Sequence, residues 1–370
     1  MSEKITLSSG KVEENPKKRK PRRESPDPYS YKQGPVNVER ALKNNSLDRK
    51  HLASHMNEVL KEEEQERGCM EDYEGIYSKE QIEKDHALVE EIKAEIKKKK
   101  EELSPDKRKK LRNSERIGKY FEITMQKLLD EYCCLGEELK TVPATEYDDY
   151  VNNTDTLIGT EETDYVLGVD FTTASGHDRA SSKAERGLAK MAIKGSAAVR
   201  YNYSFNEDSV SGESRKVIPV VIGFDLKKCE ILSYFFDEIK QKDSLIENIE
   251  KRDFRTKDEK EFWQNQKSEY IEEKREIANQ MVSLPFYDIL FEQMKLQLEK
   301  YTELGLGDEE IKKACSYFLE RIEEVRSKKY DNSYVEGDKI LSAIEERLDS
   351  VDKENLDYIL KRWEKKKALR

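Results

Sequence analysis

The chain has 370 residues, 39% of them charged and 35% hydrophobic, with a net charge of −10 and a pI near 5.4. So low an apolar fraction argues against one large core and fits long solvated helices around a smaller globular unit. No run approaches the roughly 20 consecutive apolar residues of a membrane span, the start MSEKITLSSGK lacks an apolar signal core, and any basic surface on so acidic a chain must be local.

Residues 1–36 are polar and hold Pro16, Pro21, Pro26, Pro28 and Pro35, which predicts a disordered tail. Inside it, KKRKPRR at residues 17–23 sets Lys17, Lys18, Arg19, Lys20, Arg22 and Arg23 together. Such a run fits a nucleic-acid-binding tail or a nuclear localisation signal, and equally a solubilising segment. Residues 37–113 read as helices. SKEQ at residues 78–81 fits a capping box. After it, Ile82, Val89, Ile92, Ile96 and Leu103 form a thin apolar stripe. KKKK at residues 97–100 reads as an exposed charged face, and Ser104-Pro105 opens another short helix.

Composition changes near Ser114, and a compact α/β domain is expected over about residues 114–228. It begins with a helix over residues 115–132, with Ile117, Phe121, Leu128 and Tyr132 on one face and Gly118 and Glu122 adjacent to them. Strands are predicted over residues 154–159, 164–173, 198–203 and 216–224, with a helix over 181–194 between the second and third. From about Leu232 the chain returns to helices, broken at Pro285, with Asp308 and Asp352 as N-caps. Residues 229–370 are therefore expected to form a helical region suited to protein contacts or self-association. The five cysteines have no CxxC pairs or zinc-finger spacing, so reduced thiols in a cytoplasmic protein are expected, with nuclear residence possible for a eukaryotic chain.

Three carboxylates draw attention. In the strand around residues 164–173, Tyr165, Leu167, Val169 and Phe171 point one way, and Val166, Gly168, Asp170 and Thr172 the other. Asp170 thus stands inside a hydrophobic strand, where a carboxylate is costly unless paired, protonated or bound to a cation. Asp155, opening a strand, is cheap there, as a turn residue would be. With Glu122 from the helix, the three are expected to converge on one site, whose oxygen ligands suit Mg²⁺ or Mn²⁺.

These positions resemble the PD-(D/E)xK nuclease superfamily, whose core runs α-β-β-β-α-β with an acid on the first helix, an Asp at the second strand and (D/E)xK on the third. The resemblance covers about a third of the chain and implies a restriction-endonuclease-like core of helix, mixed sheet and helix flanked by long charged helices. It makes Glu122 the helical acid, Asp155 the proline-Asp equivalent and Asp170 the (D/E). The pattern YDD…NTD…VDFTT, then a helix, then PVVIGFD, is also similar to uncharacterised bacterial proteins placed near this superfamily, and PFYDILFEQMKLQLEKY to their helical C-terminal part. Two departures stand out: Thr172 replaces the lysine, and Thr154 the proline. Threonine lacks the charge that orients water or stabilises the transition state.

Some members carry that lysine on the following helix. Here Lys183, Lys190 and Lys194 share one helix face; Lys183, earliest, is assigned the catalytic role, and Lys190 and Lys194 phosphate contacts or solvation. His177 lies in a Gly-Ser loop, where a base and a solvated side chain are both open readings. The expected function is a Mg²⁺-dependent nuclease. The alternatives are an inactive nuclease-like domain binding nucleic acid or protein, and a helical scaffold.

Overall fold

The computed structural model describes residues 70–131, 135, 139–160, 162–174, 178–195, 197–203, 210–211, 215–282, 286–329 and 338–368. The predicted tail and the helices expected before residue 70 lie outside the described residues.

A 3₁₀ turn, Met70–Tyr73, leads into α1 (Lys79–Glu101). The expected cap is present: Ser78 Oγ accepts from the Gln81 amide at 3.3 Å. The Gln81 side chain donates to Asp85. Next comes α2 (Pro105–Glu131), a single helix where the sequence suggested two. A change of composition does not break a helix, and its interior Gly118 costs only about 1 kcal/mol.

The sheet follows: β1 (Lys140–Pro143), a one-turn π-helix (Asp148–Asn152), β2 (Thr156–Gly159) and β3 (Tyr165–Ala174). Helix α3 (Asp178–Lys194) connects to β4 (Ala197–Val199), a small hairpin of β5 (Asn202–Tyr203) and β6 (Val210–Ser211), and β7 (Arg215–Asp225). The strand order is β1-β2-β3-β7-β4. The first three strands form an antiparallel meander; β3 and β7 run parallel, joined by the α3 crossover, and β4 is antiparallel to β7. The chain is thus α/β and mostly helical, with a small mixed sheet. Strand β1 was not expected: four residues ending in proline carry little strand signal.

The predicted alternation of β3 places its two sets of side chains in different environments. Tyr165, Leu167, Val169 and Phe171 belong to the main core, where Phe171 meets Phe121 of α2 edge to face. Val166 joins Leu157, Val199 and Val217 in a smaller cluster. On that second side Asp170 meets Lys183 of α3. Helices α2 and α3 therefore lie on opposite faces of β3.

The remaining helices are α4 (Leu226–Glu250), α5 (Lys257–Val282), α6 (Phe286–Glu303), α7 (Glu309–Lys329), α8 (Lys339–Asp349) and α9 (Lys353–Ala368). Both expected aspartate caps form, Asp308 accepting from the Ile311 amide and Asp352 from that of Asn355. The main core does not stop at residue 228. It runs from Tyr120 through Phe236, Phe291 and Phe318 to Ile359. Helix α6 lies along β7, its Gln293 and Gln297 bonded to that strand's backbone. Cys229 and Cys315 are free thiols buried in this core.

Candidate functional site

The three candidate carboxylates approach the central part of β3 from different elements. Asp155 precedes β2. Its amide donates to Val169 O at 2.8 Å, and its Oδ2 accepts from the Phe171 amide at 2.7 Å. The side chain thereby continues the β2–β3 ladder one step past the end of the strand. Asp155 is 7% exposed. Burial, and then the charges of Glu122, Asp170 and Asp149, push its carboxyl well above the usual range, while Lys183 pulls the other way.

This corrects the reading of Asp155 as a cheap position, while Asp170 has the paired setting that a strand carboxylate needs. Asp170 sits opposite Val221 in the β3–β7 ladder, and its Oδ1 lies 2.5 Å from Lys183 Nζ. Both side chains are partly open to solvent, at 16% and 19%. Strand alternation says which face a residue takes; it does not say what lies above the neighbouring strand's end.

Glu122 stands on α2, 3.1 Å from Lys119 Nζ one turn earlier. At Gly118, on the same helix, an added Cβ would lie 3.7 Å from Thr173 Oγ1, so α2 passes close over the end of β3. Lys183 and Lys190 project from α3 to different partners. Lys190 Nζ donates to the Asn152 carbonyl at 2.9 Å, tying α3 to the π-helix and engaging that ammonium within the fold. The side chains of Lys194 and His177 lie outside the described residues, as do Lys17, Lys18, Arg19, Lys20, Arg22 and Arg23. Thr172 is buried, and its hydroxyl has no hydrogen-bond partner among the described residues, so the position of the expected lysine supplies no charge.

Two charged groups at the site were missed in the sequence. Asp149 adds a fourth negative charge around Asp155, and Lys119 is the cation beside Glu122. The only sequence signal for the first was the tandem Asp148-Asp149, whose members part ways in the π-helix. Asp148 turns instead to a second cluster, accepting from Asn152, Thr145 and the Tyr201 amide. Next to it, the buried Asp85 of α1 receives Arg200 and the Tyr201 hydroxyl, each at 2.6 Å. Tyr73, Tyr77 and Tyr147 surround the Tyr201 ring. Through the π-helix this cluster backs directly onto the carboxylate site.

The donor set fits a hard divalent cation in kind: all oxygen, several negative charges, and an innermost carboxyl that burial and then its like-charged neighbours push up. Its geometry is turned elsewhere, with Asp170 toward Lys183 and Asp155 toward the Phe171 amide. Among the described residues no group of three or more His, Cys, Asp or Glu is set to hold a metal ion. No described helix is long and apolar enough to cross a membrane. Comparison with protein-family models, curated proteins and solved structures finds no match.

Proposed function

We propose that the chain is a divalent-metal-dependent phosphodiesterase acting on nucleic acid, built on a divergent PD-(D/E)xK-like core. The observation that carries this reading is the Lys183–Asp170 contact of 2.5 Å beside Asp155 and Glu122. An ammonium arriving from α3 takes the place that the strand lacks at Thr172. The element order α2-β1-β2-β3-α3, with β7 returning parallel to β3 after the short strands β4, β5 and β6, supports this reading.

In this reading Glu122, Asp155 and Asp170 would hold Mg²⁺ or Mn²⁺, which supplies charge stabilisation at a phosphoryl oxygen and a more acidic water. Lys183, poised by Asp170, keeps its positive charge facing the reacting phosphate, where it orients the attacking water and offsets charge that grows in the transition state. Burial of Asp155 keeps bulk water from that side. Attack on phosphorus forms one P–O bond and breaks the bond to the leaving oxygen. DNA and RNA are both within this chemistry.

A second reading, a nuclease-like domain that binds without cutting, is favoured by one feature: Asp170, Asp155 and Glu122 each already have a partner within the fold. Incubating the full chain with single- and double-stranded DNA and RNA, in Mg²⁺ or Mn²⁺, separates the two. Cleavage lost in Asp170→Asn supports the phosphodiesterase. Binding with no cleavage of any substrate by the wild type hands the site to the second reading.

A further inference from the structure

The corner between α1 and α2 concentrates charge against the trend of the chain. Residues 97–112 hold nine Lys or Arg against Glu101, Glu102 and Asp106, a local +6 in a chain of −10. The corner is held in shape. Arg108 donates to the carbonyls of Glu101 and Leu103, and Lys100 pairs with Glu115 at 2.8 Å. Lys97, Lys98, Lys107, Lys109, Lys110 and Arg112 are exposed, and none has a carboxylate partner among the described residues.

Helix stability explains only part of this. Cations in the last turn of α1 complement its dipole, so Lys98, Lys99 and Lys100 stand where a helix favours them. Lys107, Lys109 and Lys110 stand in the opening turns of α2, where the dipole disfavours positive charge. Sequence context alone made such a run a solvated face, but a purely solvated face would gain nothing from this placement.

The same uninterrupted helix carries Glu122. From Arg112 to Glu122 is ten residues, about 15 Å along the axis, so a polyanion lying on the corner continues along α2 toward the carboxylates. Unpaired Lys and Arg on a rigid support bind phosphate backbones without reading sequence.

We infer that the α1–α2 corner is a nucleic-acid backbone-binding surface, with Lys97, Lys98, Lys107, Lys109 and Lys110 contacting phosphates of a strand led along α2 to Glu122. It rests on the phosphodiesterase reading for the destination of the strand, and on charge and geometry alone for binding.

The test uses the full chain and a variant with those five lysines changed to Gln. Binding of a short fluorescein-labelled DNA duplex and of single-stranded RNA is followed against salt, with EDTA present so that no cleavage intervenes. The variant should bind about 100-fold or more weakly near 0.1 M salt, with a salt slope shallower by about 3–5, near one for each phosphate that is no longer neutralised. Its thermal midpoint should stay near that of the wild type, because disfavoured charges leave the start of α2 while the favoured Lys98 leaves the end of α1. Equal slopes and affinities overturn the inference. So does a wild type that binds phosphatidylserine vesicles but neither nucleic acid, or a variant that binds weakly only because its midpoint has collapsed. A wild type that binds through the corner and never cuts sustains this surface while sinking the hydrolytic reading, so the two failures are distinguishable.

Discussion

Gln297 bonds to Val221 as a neighbouring strand would: its Oε1 accepts the Val221 amide at 2.9 Å, and its Nε2 donates to the Val221 carbonyl at 2.8 Å. One turn earlier, Gln293 does the same at Gly223, at 2.7 and 2.9 Å. One turn later, the Tyr301 hydroxyl donates to the carbonyl of Pro219, which has no amide to satisfy. Beyond its short pairing with β4, the outer edge of β7 is thus closed by a helix. The spacing permits it: four helical residues rise about 6 Å and two strand residues about 6.6 Å. An edge that would otherwise invite another chain is satisfied within the fold.

This relationship sets the first prediction. Gln297→Leu removes both partners of a buried peptide group, and each orphaned group costs about 1–3 kcal/mol. We expect a loss of about 2–4 kcal/mol in urea unfolding. A loss below about 0.5 kcal/mol, the scale of an ordinary surface change, would mean that the edge is not held by Gln297.

Gly168 gives the second. It lies in β3, and a Cβ there would come within 2.3 Å of Val217 Cγ1 and 3.0 Å of Thr154 Oγ1. Both neighbours are buried, and Thr154 precedes Asp155. Gly168→Ala should cost about 1–3 kcal/mol by overpacking and lower site activity along with it. Unchanged stability in thermal unfolding would show that Val217 can turn away freely.

Some of this was legible in the sequence and some was not, for physical reasons. The alternation of β3 and the existence of the strand at β7 were readable, because strand patterning is local; that β7 runs parallel to β3 was not. Lys183, Lys190 and Lys194 could be put on one helix face, but that Lys183 meets Asp170 while Lys190 meets the Asn152 carbonyl depends on what crosses α3. Gln293 and Gln297 looked like ordinary polar positions in an apolar helix. They are 0% and 1% exposed because the backbone of β7 supplies their partners, which no local pattern encodes. The cost of Asp155 was missed for a similar reason: it comes from burial, and then from Glu122 on α2, Asp170 on β3 and Asp149 in the π-helix, which strand periodicity does not bring to it.

Asp148 yields a pH prediction. Burial pushes its carboxyl from 3.8 up to about 6, against the opposing pull of Asn152, Tyr201 and Thr145. Asp85, Arg200 and the phenols of Tyr73, Tyr77, Tyr147 and Tyr201 are other ionisable groups of this cluster. A folded value above the unfolded one means that the native state binds the extra proton between about pH 4 and 6. Its ionised form therefore destabilises at pH 7, by about 3 kcal/mol, and that cost is relieved as pH falls through the window. Asp148→Asn should be the more stable protein at pH 7 and lose its advantage near pH 4. A difference that stays constant across this range would contradict the assignment.

The final prediction concerns Lys183, because it pulls two observables in opposite directions. The ammonium lies 2.5 Å from Asp170 Oδ1 and opposes the rise of the Asp155 carboxyl, so it offsets the negative charge that would attract a cation. Lys183→Ala should therefore bind Mn²⁺ roughly 3–10-fold more tightly, a gain on the order of 1 kcal/mol from losing one partly screened like charge. The metal-induced rise in thermal midpoint should grow accordingly. Turnover should nevertheless fall about 100–1000-fold, since the charge acts chiefly on the transition state. Lys183→Arg, keeping the charge, should restore the wild-type metal response and part of the rate. Asp170→Asn should abolish both. A purely structural Lys183 would lower metal binding, midpoint and rate together, and that joint fall in Lys183→Ala is the result that would remove it from the reaction.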